Sequence, residues 1–285
     1  MILIGGSTGQ LGKEVVAQLL RRKAKGQFAV LARDPEKAKI YADQGIEVRL
    51  GDFDAPDSLG PAFAGISRFL FISTMSQDRG AQQSRVVEAA RAAGIRHIVY
   101  TGLAIRDIAT SAVRDLMASH FETEGRICAS GMQWTFLRNG MYAEAIAQIA
   151  GPKALTDGIS LPGGAGRVPY ALRAEMGEAA ANLLLGEGHE GKTCNITGSD
   201  AWSYADIAAG LSRLTGRAVG YQDIPEEALA AGMRAAGIPD FVIWLTLGTI
   251  RDIRDGQYDI ASRDLEILLG RAPKSLDQML ASVFA

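Results

Sequence analysis

The chain has 285 residues, 47% of them hydrophobic and 22% charged, with a formal net charge of −2. That composition excludes long disorder and a small stapled scaffold, and it supplies enough apolar surface for one large domain or a domain with a dependent lobe. The near-neutral balance, without a lysine or arginine cluster, also argues against a phosphate-backbone surface, so no nucleic-acid partner is expected.

Cys128 and Cys194 lack C-x-x-C spacing and read as reduced thiols, and His97, His120 and His189 are too scattered to form a metal site. Met1 leads directly into strand-like sequence rather than into a signal peptide. The most apolar stretch, "IPDFVIWLTLG" at 238–248, falls short of the ~20 residues of a membrane helix. A cytoplasmic protein without membrane contact is expected, with 238–248 a buried helix, a lid or the contact of a homodimer.

In chain order, short apolar runs at 1–4, 28–32, 47–50, 68–72, 97–101 and 133–137 predict parallel strands, separated by segments of helical period. The predicted fold class is α/β: a doubly wound parallel Rossmann sheet with a smaller C-terminal α/β substrate lobe. The predicted boundaries are 1–150 for the first domain and 151–285 for the lobe, with about 167–190 packing back on the first. "GPKALTDGISLPGGAGR" at 151–167 reads as loop with one short strand. A helix follows at 173–185, then a strand near 193–196. Ser203 and Asp206 form a capping-box pattern opening a helix to Thr215, with a buried stripe of Tyr204, Ile207, Leu211 and Leu214.

The chemistry starts at "IGGSTGQLG", residues 4–12. A strand, a glycine turn and a helix aim backbone N–H groups and a helix dipole at a pyrophosphate. Gly6 permits the turn, Gly9 lets phosphate approach and Gly12 lets helix and strand pack closely. After the second strand, "LARDPEK" offers Arg33 to a 2′-phosphate, while Asp34 and Pro35 have N-cap and N1 uses. NADP (NADPH) is therefore preferred over NAD, the alternative for Arg33 being a solvated ion pair. In "GDFD" at 51–54, Asp52 accepts from the adenine amino group or caps the next short helix, with Phe53 beside it. Ser73 and Thr74 follow the fourth strand, at the carboxyl edge where ligands bind, and are placed near the nicotinamide ribose.

With "FLRNGMY" at 136–142, "HFETEGRI" at 120–127, "GHEGKTCNI" at 188–196 and "LLGRAPKSL" at 268–276 added, nearly the whole chain resembles the NmrA-like group of atypical short-chain dehydrogenase/reductases. The likeness is greatest to its quinone- and triarylmethane-dye-reducing members. It implies that Gly6, Ser7, Thr8, Gly9, Gln10, Leu11 and Arg33 hold the adenosine and pyrophosphate. Asn139, Gly140 and Tyr142 would surround the nicotinamide and acceptor, with Tyr170 and Arg173 closing the other side or serving as a core tyrosine and a surface arginine. Gly125 departs from the pattern, standing where quinone-reducing members commonly carry lysine after "ETE", which puts a proton relay there in doubt.

None of the seven tyrosines has lysine four residues on, so the Tyr-x-x-x-Lys pair that protonates an alkoxide is missing. A small aromatic or conjugated acceptor such as a quinone or dye cation does not need it. The expected activity is NADPH-dependent quinone reduction, and the alternative is an NADP(H)-binding redox sensor without turnover. Tyr142 and His120 are the candidate catalytic side chains. His120 shares a helix face with Glu124, either bordering the substrate or forming an ordinary histidine–glutamate pair.

Overall fold

The structure, a computed structural model, describes residues 1–76, 78–151 and 153–284. Its elements run β1 (Ile2–Ile4), α1 (Gln10–Arg21), β2 (Phe28–Ala32), α2 (Pro35–Ala42), β3 (Glu47–Leu50), α3 (Leu59–Phe63), β4 (Arg68–Ile72), α4 (Arg79–Ala92) and β5 (His97–Leu103). Then come α5 (Arg114–Met117), α6 (Ser119–Ala129), β6 (Gln133–Asn139), α7 (Glu144–Ala150), α8 (Ala154–Asp157), β7 (Ile159–Ser160), β8 (Arg167–Val168), α9 (Arg173–Leu185) and β9 (Lys192–Ile196). The chain closes with β10 (Trp202–Ser203), α10 (Tyr204–Thr215), β11 (Tyr221–Gln222), α11 (Glu226–Ala235), α12 (Asp240–Arg254), α13 (Asp264–Leu269) and α14 (Leu276–Val283).

Seven strands form one sheet in the order β3-β2-β1-β4-β5-β6-β9. The neighbours from β3 to β6 pair in parallel, with Leu3 opposite both Ala29 and Phe69. Reversal of strand order at β1 leaves a crevice at the carboxyl ends of β1 and β4, as in doubly wound sheets generally. Leu3, Leu31, Phe69, Phe71 and Tyr100 share a core with Phe63 of α3, Val86 and Val87 of α4 and Ile127 of α6. Strand alternation turns Ile4, Val30, Leu70 and Val99 to the other face, and all four are fully buried. Burial on both faces is why these strands read as unbroken apolar runs.

The chain divides into two compact units, one of Met1–Leu103, Ala118–Asn139 and Arg173–Cys194, the other of Ala104–Met117, Gly140–Leu172 and Asn195–Ala285. In the first, α9 packs on α1: a Cβ on Gly177 would come within 2.5 Å of Glu14 Cβ, and Arg22 Nε donates to Asn182 Oδ1 at 2.7 Å. In the second, the capping box of Ser203 and Asp206 opens α10 as expected. Its buried stripe includes Tyr204, Ile207 and Leu211, but Leu214 is 43% exposed because Ala208 and Gly210 continue the buried face. Within 151–167 a short helix, α8, precedes the strand, so that stretch is less irregular than its glycines suggest. The apolar stretch 238–248 leads into α12 and forms its first nine residues, burying Ile243 and Gly248 and exposing Phe241, Val242 and Trp244. No described helix is long and apolar enough to cross a membrane.

Candidate functional site

At the carboxyl ends of β1, β2, β3 and β4 a pocket of about 470 Å³ is lined by Gly6, Thr8, Arg33, Asp52, Phe53 and Thr74, together with Asp54, Met75, Ser76 and Gln82. The glycine turn makes its floor. Gly6 has φ +67°, a backbone setting that favours glycine. A Cβ on Gly12 would lie 2.1 Å from the Gly6 carbonyl oxygen, so only glycine lets α1 start this close to the turn. Gly9 is the N-cap of α1 and no side chain caps that end, so the first N–H groups of the helix stay open to an anion.

The sequence-predicted cradle residues separate into two kinds. Gly6 and Thr8 face the pocket, and Gly9 and Gln10 are exposed at the helix start. Ser7 and Leu11 are buried; the Ser7 hydroxyl donates to the Leu31 carbonyl at 2.9 Å, pinning the turn to β2. Tyr41 of α2 completes that brace by donating from its phenol to the Ser7 carbonyl at 2.6 Å. Burial pushes the Tyr41 phenol above its ordinary pKa.

Arg33 is exposed on the pocket wall, while the neighbouring Asp34 accepts from the N–H groups of Glu36 and Lys37 as the N-cap of α2. Asp52 does not cap the next helix: Oδ1 accepts from Asp54 N at 3.0 Å, closing a tight turn that directs the residue into the pocket. Phe53 packs edge-on against Phe71, 5.2 Å between centroids. Across the pocket, Gln82 Nε2 donates to Asp54 Oδ1 at 2.7 Å and its Oε1 accepts from Thr74 Oγ1 at 2.5 Å. Gln82 thus ties the loop after β3 to the loop after β4. Neither Tyr41 nor Gln82 stands out in the sequence; the only signal is a polar group on an otherwise buried helix face.

Ser73 N donates to Thr101 Oγ1 at 3.0 Å, fixing the end of β4 against β5. Asn139 ends β6 and is 7% exposed. Gly140 and Tyr142 belong to the second unit, where Gly140 N donates to the Ile196 carbonyl and Tyr142 bridges Ala171. Tyr170 is buried in that unit, its phenol raised by burial. Arg173 starts α9 in the first unit and is partly exposed.

His120 and Glu124 share α6 but do not pair with each other. His120 Nδ1 and the Tyr100 hydroxyl are 2.9 Å apart, and that hydroxyl also donates to Gln83 Oε1. Burial, with Arg79 nearby, lowers the His120 pKa to about 3, so the ring is neutral at pH 7. Glu124 takes the Arg138 guanidinium in a bidentate bridge, Oε1 at 3.0 Å and Oε2 at 2.5 Å. A Cβ on Gly125 would meet open space, so the departure there costs no packing.

The NmrA-like family matches residues 1–258. The chain belongs to that family. Over 287 aligned positions it is 35% identical to quinone oxidoreductase 2 of Escherichia coli (strain K12), covering 100% of this chain and 99% of that protein. A crystal structure of Citrobacter sp. triphenylmethane reductase complexed with NADP(H) superposes with a TM-score of 0.91 at 35% identity, covering 99% of both chains. The NADPH complex of the quinone oxidoreductase QOR2 from E. coli superposes at 0.92 and 34% identity over 100% of each. The glycine turn, Arg33 and the loops after β3 and β4 gather round one pocket at the carboxyl edge of this NmrA-like protein's parallel sheet.

Proposed function

We propose that this protein transfers hydride from NADPH to a quinone or similarly conjugated acceptor, a dye-like cation included. At the coarser level it is an NAD(P)H-dependent oxidoreductase with NADP(H) as cofactor. The observation carrying the finer reading is chemical: no tyrosine has lysine four residues on. A ketone would need an acid here. A quinone does not, since its reduced anion has a phenol-like pKa near ~10 and takes a proton from water.

NADPH, when bound, supplies the hydride. The chain's task is binding and orientation. Gly6, Thr8 and the open start of α1 receive the pyrophosphate, and Arg33 pairs with the 2′-phosphate. Asp52 and Phe53 flank the adenine, the carboxylate accepting from its amino group. Ser73, Thr74 and Asn139, at the ends of β4 and β6, orient the nicotinamide half. The Gln82 link holds the adenine-side and nicotinamide-side loops at one spacing.

Purified protein with NADPH, assayed against benzoquinones, naphthoquinones and triphenylmethane dyes, is expected to turn over at least one acceptor well above the uncatalysed rate. NADPH binding without turnover of any would replace the reductase with the redox-sensor reading.

A further inference from the structure

Large apolar side chains left exposed on a protein surface normally stand singly, and a cluster of them marks a contact. Four gather where α11 turns into α12: Ile238, Phe241, Val242 and Trp244, each between 36% and 45% exposed. The turn is tight. Gly237 N donates to the Arg234 carbonyl at 2.9 Å and Ile238 N to the Met233 carbonyl at 3.0 Å, with Gly237 at φ +72°.

At 3.6 residues per turn, Phe241 and Trp244 fall on one side of α12 with Val242 at its edge, while Ile243 and Ile250 fall on the opposite side and are buried. The exposed residues therefore form a second apolar face, separate from the one α12 turns to its own core. That face is held stiffly. The Phe241 and Trp244 rings lie 5.8 Å apart, and further along the helix Arg251 grips Glu226 of α11 through Nε at 3.2 Å and NH2 at 2.5 Å. Rigid aromatic anchors of this kind lose little freedom on association and concentrate at the centres of protein interfaces.

The charges around the tip decide what covers it. Glu226 is spent on Arg251 and Arg254. Arg234, in the last turn of α11, and Asp240, the first residue of α12, are both exposed, and neither is in an ion pair among the described residues; Glu227 stands two turns back along α11. An anionic membrane or an acidic partner would meet two carboxylates for one guanidinium, and a basic partner would meet Arg234. A copy of the same chain meets neither obstacle. A two-fold axis at the tip brings each Arg234 to the other copy's Asp240 and sets one aromatic pair against the other.

We propose that this protein forms a homodimer through the α11–α12 tip, with Phe241 and Trp244 at the centre of the interface and two reciprocal Arg234–Asp240 pairs on its rim. The interface is independent of the nucleotide pocket and of the acceptor.

Sedimentation equilibrium of the full-length protein tests it. A tip this small belongs at the low end of interface sizes, so a dimer with a dissociation constant of about 1–10 µM is expected. Trp244→Ser should weaken association about thirtyfold. Arg234→Glu and Asp240→Arg should each weaken it about tenfold, by setting like charges against each other, and the two together should return it to within about threefold of the parent. All three positions are exposed, so the fold should survive each change, which an unchanged affinity for NADPH reports. The proposal is overturned if the parent is still monomeric at about 100 µM, if Trp244→Ser associates like the parent, if the double reversal fails to recover association, or if the protein floats with phosphatidylglycerol vesicles and Trp244→Ser does not.

Discussion

The Tyr41 phenol donates to the Ser7 carbonyl at 2.6 Å, so a side chain of α2 braces the turn that forms the nucleotide cradle. Ser7 in turn holds β2 through Leu31. Tyr41→Phe removes one buried hydrogen bond and leaves a buried carbonyl unpaired, a loss of about 1–2 kcal/mol in stability. Because the released turn carries Gly6 and Thr8, NADPH affinity is expected to fall about threefold to tenfold with kcat little changed. Urea unfolding together with NADPH calorimetry checks both; unchanged affinity in a destabilised variant would confine Tyr41 to the core.

Gly9 and Gly12 stand in the same motif but under different constraints. A Cβ at Gly12 meets backbone at 2.1 Å, whereas at Gly9 the nearest atom lies at 3.2 Å. Gly12→Ala must push α1 away from the turn, and its NADPH affinity is expected to fall by about a hundredfold, or the protein to lose several kcal/mol. Gly9→Ala keeps the fold and disturbs mainly the approach of phosphate. Melting temperatures with and without NADPH separate the two: Gly12→Ala should melt lower even without nucleotide, Gly9→Ala only in the gain that nucleotide brings.

What the sequence makes legible follows from how local the cause is. The strands at 28–32, 47–50 and 68–72 and the helix at 173–185 match their predicted limits because apolar runs and helical periods are local signals. β5 and β6 each run two residues past the apolar stretch, to Leu103 and Asn139, because pairing between the strands carries them on. The glycine turn and Arg33 are visible for the same local reason. The braces are not: Tyr41 reaches Ser7 across 34 positions, and Gln82 reaches Asp54 across 28. Glu124 bonds Arg138 rather than His120, since β6 brings a guanidinium to α6 that helical spacing cannot reveal.

Arg33 is exposed beside the pocket, and Asp34, the neighbour able to neutralise it, is spent on the first turn of α2. The guanidinium is therefore available to a 2′-phosphate. Arg33→Ala is expected to weaken NADPH about ten- to a hundredfold and NADH by less than twofold, which removes the preference for the phosphorylated cofactor. Fluorescence titration with both nucleotides reads the ratio; equal losses for the two would place Arg33 on the pyrophosphate instead.

Two buried imidazoles give the fold a defined acid sensitivity. Burial lowers His97 to about 4 and His120 to about 3, against 6.5 in the unfolded chain. Arg68, His189 and Glu190 face the first ring, the cations opposing its protonation and the carboxylate favouring it; Arg79 opposes protonation of the second. Below pH 6.5 the unfolded chain takes up protons that the native rings refuse, so stability is fully present above that pH and declines as pH falls towards the folded values. While both rings lie inside that window the slope approaches about 1.4 kcal/mol per pH unit for each. Unfolding free energies measured from pH 7.5 to 4.5 should show this decline, and His120→Gln should make it shallower by about half. An undiminished slope in that variant would mean that His120 is protonated in the native protein and that the Tyr100 hydroxyl accepts from an imidazolium.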